Sequence, residues 1–189
     1  RPRRRAGVKT LWKRIEHSLA ALSDDTLASL RGSVDPTQLA EATSELGRRL
    51  PRDLTDSYAI HDGQREGIAL MGGYWLLPIE RVVAEWRVFK TLHDSGEFAG
   101  KPTDSDGGAR TEWWNPGWLP VAGDGSGDFY CVDLAPARGG RKGQVIHFAH
   151  DEAVRRVVAE SFRAWLETFA DDLNDGAYRA SDGDGLVPV

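Results

Sequence analysis

Residues 113–151 read WWNPGWLPVAGDGSGDFYCVDLAPARGGRKGQVIHFAHD. Three short apolar runs, 118–122, 128–134 and 144–149, alternate with two glycine-rich turns. Runs of that length with such punctuation predict a small antiparallel meander. The first turn is Gly123-Asp124-Gly125-Ser126-Gly127; the second, 136–143, carries Arg138, Arg141 and Lys142. Beyond the meander, Val154, Val157, Val158, Phe162, Trp165, Leu166, Phe169 and Leu173 fit the wide apolar stripe of an amphipathic helix. That spacing predicts one long final helix starting at His150-Asp151, with Asp151 as its cap.

Three helices are predicted upstream. Val8, Leu11, Trp12, Ile15, Leu19 and Leu22 recur at helical spacing. Asp35-Pro36 supplies an N-cap and a first-turn proline for a second helix, which carries Leu39, Ala42 and Leu46 and stops at Gly47. After Leu50-Pro51, a short third helix holds Leu54, Tyr58 and His61 and stops at Gly63. Residues 68–71 and 74–77, split by Gly72-Gly73, read as a tight hairpin or as one strand with a bulge. Ile79, Val82, Val83, Trp86, Phe89 and Leu92 form a fourth helix, and 96–112 reads as a polar surface loop. The expected architecture is one α+β domain, an antiparallel sheet with N-terminal helices and a long C-terminal helix packed on it. Its expected bounds are 8–174, between a basic arm over 1–7 and a flexible acidic tail over 175–189.

The 189 residues are 40% hydrophobic and 28% charged, with net charge −5, enough chain for one core without covalent staples. Four arginines lie in the first five residues, and 171–189 carries five aspartates against one arginine, so the body is more acidic than the total. Nucleic acid is therefore not the expected partner. A single cysteine, no apolar run of about 18 residues and no signal-like segment lead to the expectation of a cytoplasmic protein without membrane contact.

Candidate chemistry is sparse. Gly123, Gly125 and Gly127 resemble a phosphate loop, but a strand rather than a helix follows, and the P-loop lysine is missing. Asp124, Ser126, Asp128 and Asp133 lack the glycine and terminal glutamate of a calcium loop. His147, His150 and Asp151 form HxxHD without a third zinc ligand at a recognisable spacing. Cys131, in mid-strand, reads as a small buried hydrophobe. No metal or cofactor is expected and no catalytic residue is assigned. A small metal-dependent hydrolase using Asp124, Asp128, His147, His150 and Asp151 stays as an alternative, as does ligand binding by Trp113, Trp114 and Trp118. Exposure and charge single out Asp104, Asp106, Asp124, Ser126 and Asp128 as candidate partner contacts, although Asp124 and Asp128 equally suit closing the turn.

The combined pattern resembles the SMI1/KNR4 family of the SUKH superfamily over about 8–173. The matching positions are Trp118, Pro120, Asp124, Gly125, Gly127, Asp128, Asp133, Gly143, Val145, His150, Asp151 and Phe162. Upstream, Trp12, Leu46-Gly47, Leu50-Pro51, Tyr58 and Gly63 match the family's entry, with Asp62 where an asparagine is common. The resemblance implies an α+β domain that binds a protein and is not an enzyme. It points first to an immunity protein that occludes a cognate bacterial toxin, such as a nuclease. The alternative it implies is a scaffold or regulator of the fungal type, in cell-wall synthesis or signalling.

Overall fold

The 113–151 stretch forms the centre of a six-stranded sheet in a computed structural model, which describes residues 6–189. In chain order the elements are α1 (Val8–Leu22), α2 (Asp24–Ser29), α3 (Pro36–Leu46), α4 (Arg52–Tyr58), β1 (Trp75–Leu76), α5 (Ile79–Asp94) and β2 (Asp104–Ser105). They continue with β3 (Trp118–Gly123), β4 (Phe129–Asp133), β5 (Gln144–Phe148), β6 (Val154–Ala159), α6 (Phe162–Asn174), β7 (Tyr178–Ser181) and β8 (Gly185–Pro188). The sheet runs β1-β3-β4-β5-β6-β2. Only the β2–β6 pair is parallel, so the sheet is mixed rather than wholly antiparallel. The basic arm lies, over residues 1–5, outside the described residues.

Neighbouring strand residues point to opposite faces, and in β4 that alternation builds two layers. Phe129 meets Phe89 of α5 edge-on at 5.7 Å, while Tyr130 meets Trp165 of α6 at 5.2 Å. Thus α5, with α3 against it, covers one face, and α6, with α1 and α4 against it, covers the other. The predicted stripe of α1 is buried at Leu11, Trp12, Ile15 and Leu19. The Asp35-Pro36 start holds: the Asp35 carboxylate accepts from Thr37 N at 2.8 Å and from Gln38 N at 3.2 Å. Those two amide bonds keep its pKa below the usual value.

Asp62 is buried, accepts from Ile79 N at 2.8 Å at the start of α5, and pairs with Arg31 at 3.2 Å. Burial raises its pKa, and the Ile79 amide and Arg31 only partly oppose the rise. Gly63 beside it has φ 63°, and a Cβ there would sit 2.4 Å from Pro78 N. Backbone cannot swing aside as a side chain can, so glycine is required.

Three expectations are corrected. The final helix does not start at His150-Asp151: Val154–Ala159 is strand β6, and α6 begins at Phe162. Ser161 is its cap, accepting from Ala164 N at 3.1 Å, whereas Asp151 is exposed in the β5–β6 turn. Val154, Val157 and Val158 suit a helical stripe by spacing, but β-branched residues beside an open sheet edge pair as a strand. The tail after Asn174 is not loose, because β7 and β8 form a hairpin whose Leu186 is fully buried. It is tied to the core by Leu186 N donating to Ala69 O at 2.9 Å. The polar loop 96–112 also contributes a strand, β2.

Candidate binding surface at one end of the sheet

Strand register decides which side chains meet. Trp75 pairs with Gly123, Phe129 with Phe148, and Asp104 with Val154. The β3–β4 turn, the β5–β6 turn and the start of β2 therefore share one end of the sheet. That end gathers Asp104, Asp124, Ser126, Asp128, His150, Asp151 and Glu152, while Asp106 lies further along the β6 edge.

Most of these carboxylates are engaged by the fold. Asp124 Oδ1 accepts from Ser126 N at 2.9 Å and Asp128 N at 3.1 Å, and its Oδ2 accepts from Ser126 Oγ at 2.5 Å. Partial burial works against its ionisation, but these hydrogen bonds outweigh that and hold the carboxyl below the usual range. Asp128 Oδ1 bonds to both His150 N, at 2.9 Å, and His150 Nδ1, at 2.7 Å, joining the two turns. That bond raises the His150 pKa. Asp106 accepts from Val157 N at 2.9 Å, and Asp104 from its neighbour Ser105 N at 2.8 Å. Gly125, at φ 81°, lies over Trp75: a Cβ would come 2.8 Å from the indole.

The other motif positions are structural. Trp118 and Pro120 are buried in β3. Asp133 is fully buried, accepting from Ala135 N and Gln144 Nε2, both at 2.9 Å. Burial raises its pKa, and Gln144 and the Ala135 amide oppose the rise. Gly143 N donates to Asp133 O at 2.7 Å, closing the second turn. Cys131 is buried in mid-strand as expected. Of the tryptophan cluster, Trp114 and Trp118 are core and only Trp113 is half-buried.

Two features had no signal in the sequence reading. Arg155, in β6, is fully buried with no carboxylate among the described residues bound to it, and donates to Trp113 O at 2.8 Å and Glu152 O at 2.6 Å. Its guanidinium lies 4.5 Å from the Phe148 ring centroid and 5.1 Å from that of Trp113. Burial lowers its pKa to about 10, still charged at neutrality. The second feature is a groove of about 200 Å³ between β4, α6 and β7, lined by Tyr130, Val158, Trp165, Phe169, Asp172 and Tyr178. Burial, and then the Asp172 charge, raise the pKa of Tyr178.

Among the described residues one group, Asp128, His150 and Asp151, brings three ligand-type atoms within 4.8 Å of one another. Two of the three already bond to each other, and His147 is turned away to the Tyr74 hydroxyl, 2.9 Å from its Nε2. The five residues of the hydrolase alternative are thus not assembled round one point. No helix among the described residues is long and apolar enough to cross a membrane.

The model of the SMI1 / KNR4 family (SUKH-1) matches residues 33–168. The chain is 30% identical to the cell wall biosynthesis/cell cycle regulator smi1 of Schizosaccharomyces pombe, over 95% of this chain and 39% of the relative. It is 28% identical to the glucan synthesis regulatory protein of Neurospora crassa, over 90% and 39% of the two. The cell wall assembly regulator SMI1 of Saccharomyces cerevisiae is 26% identical over 92% and 42%. The chain thus spans about two fifths of the length of these relatives.

Proposed function

Because the chain belongs to the SMI1/KNR4 family (SUKH-1), we propose that it acts by binding a protein partner, without catalysis, as a regulatory module of the kind its fungal relatives are named for. The observation that carries this reading is the set of relatives aligned over nearly the whole chain and named as regulators of cell wall biosynthesis, glucan synthesis or cell wall assembly. The geometry is compatible: both oxygens of Asp124 and Oδ1 of Asp128 bond within the two turns, which makes the sheet end a built surface. Toxin neutralisation, the first implication of the resemblance, has less support, since these names favour the regulatory branch. A cytoplasmic setting and independence from cofactors belong to the same proposal, as does partner contact through the exposed Asp104 and Ser126.

A segment exchange tests it. The part of the Saccharomyces cerevisiae relative that aligns with this chain is replaced by this chain, and growth is scored on a wall-perturbing dye. Growth equal to that with the native segment is expected. Sensitivity equal to deletion of the segment, from a well-expressed and folded chimera, would overturn the reading.

A further inference from the structure

The groove between β4, α6 and β7 joins an aromatic lining to one carboxylate. Tyr130 and Trp165 pack with centroids 5.2 Å apart at 46°, and Phe169 and Tyr178 meet edge-on at 5.5 Å. Trp165 and Phe169 retain a little exposure, Tyr130 and Tyr178 are half-buried, and Val158 at the mouth is 44% exposed. Asp172 supplies the charge. The other acids of α6 are matched, Glu167 with Arg163 at 2.9 Å and Asp171 with Arg14 at 2.6 Å. Asp172 has no cation beside it among the described residues. It also lies near the C-terminal end of α6, where the helix dipole is negative and no basic residue occupies the last turn. An anion there, walled by aromatic rings, is a site short of one positive charge.

We infer that this groove receives a lysine or arginine side chain from an extended segment of the protein partner, with an apolar neighbour in that segment resting on Val158. This deepens the proposed regulatory function and rests on it. A volume of about 200 Å³ suits a single side chain. Aromatic faces attract a cation through their quadrupoles, and the stem of a long basic side chain packs on the same rings. An extended segment fits because β2 ends at Ser105 and Asp106 takes the Val157 amide, leaving Val158 beyond them at the sheet's rim.

The test titrates the full 189-residue chain with the blocked peptide Ac-Gly-Val-Arg-Val-Gly-NH2 and with its neutral citrulline counterpart, following the Trp165 indole signal by NMR. The arginine peptide is expected to move that signal at millimolar concentration, and citrulline to weaken binding about tenfold, the sum expected of a cation–π contact and a half-exposed ion pair. Asp172→Asn should weaken the arginine peptide several-fold while leaving the melting temperature unchanged or higher. Equal binding of the two peptides, no movement at Trp165, or an Asp172→Asn variant that binds as well as the parent would overturn the groove. Tighter binding of choline than of the peptide would overturn its assignment to a protein segment. A groove that fails while the segment exchange supports growth discards this inference alone; a failed exchange removes the regulatory reading even where the peptide binds.

Discussion

His147 lies in β5 and His150 in the turn that follows it, yet their environments drive them in opposite directions. His147 is half-buried beneath Tyr74, and burial lowers its pKa from 6.5; His150 is largely exposed, and its bond to Asp128 raises it. The linkage signs follow. The stabilising contribution of His150 is complete below 6.5 and is lost as pH rises through its higher folded value. That of His147 is complete above 6.5 and is lost as pH falls through its lower folded value. An NMR titration should give a His150 midpoint above that of His147, and Asp128→Asn should lower both, His150 through the lost hydrogen bond and charge and His147 through the lost charge alone. At the same turn, Gly125→Ala must adopt φ 81° against Trp75, and a loss of about 1–3 kcal/mol in urea unfolding is expected. The turn-closing role of Asp124 and Asp128 was legible from residue type alone, because aspartate beside glycine bonds its own backbone. The partner of Asp128 was not legible, since His150 reaches it only through the β4–β5 register.

Ser161 marks where sequence reasoning about elements failed. The apolar stripe from Val154 to Leu173 is continuous in spacing, and only Glu160 and the capping Ser161 separate strand from helix. Ser161→Ala should cost about 1 kcal/mol, the usual loss for an N-cap hydroxyl. The meander, the α1 stripe and the Asp35-Pro36 start were readable because local periodicity and local capping determine them. The β7–β8 hairpin was not readable: its polar, acidic composition suggests a loose end, and its fully buried side chain, Leu186, sits beside Gly185, which docks on a segment more than 100 residues earlier. Leu186→Ala should destabilise by about 2–4 kcal/mol. Arg155 ties β6 to the Trp113 segment and to the β5–β6 turn through backbone carbonyls, so Arg155→Met should cost about 2–4 kcal/mol by leaving the Trp113 and Glu152 carbonyls without donors. Arg155→Lys should not restore the loss, because an ammonium cannot span carbonyls that a planar fork reaches together. Thermal melts of the four variants check the order.

For the whole molecule, the fold places its matched motif residues mainly at turns and in the core, while the features open to a partner are ones a shared pattern does not specify. That explains why the family was legible from Trp118, Asp124, Gly125, Asp128 and Asp133, whereas the groove at Asp172 was not. A net charge of −5, with the described body more acidic still, favours a partner with basic segments. Such an association should weaken as salt rises, since screening acts on exposed charge pairs. The measurement to make first is affinity capture of the tagged chain from its source cells, followed by light scattering on the eluted species. The expected result is one protein partner at fixed stoichiometry, held more weakly at high salt. A chain that elutes alone under low salt, and turns over a small-molecule substrate, would contradict the binding function.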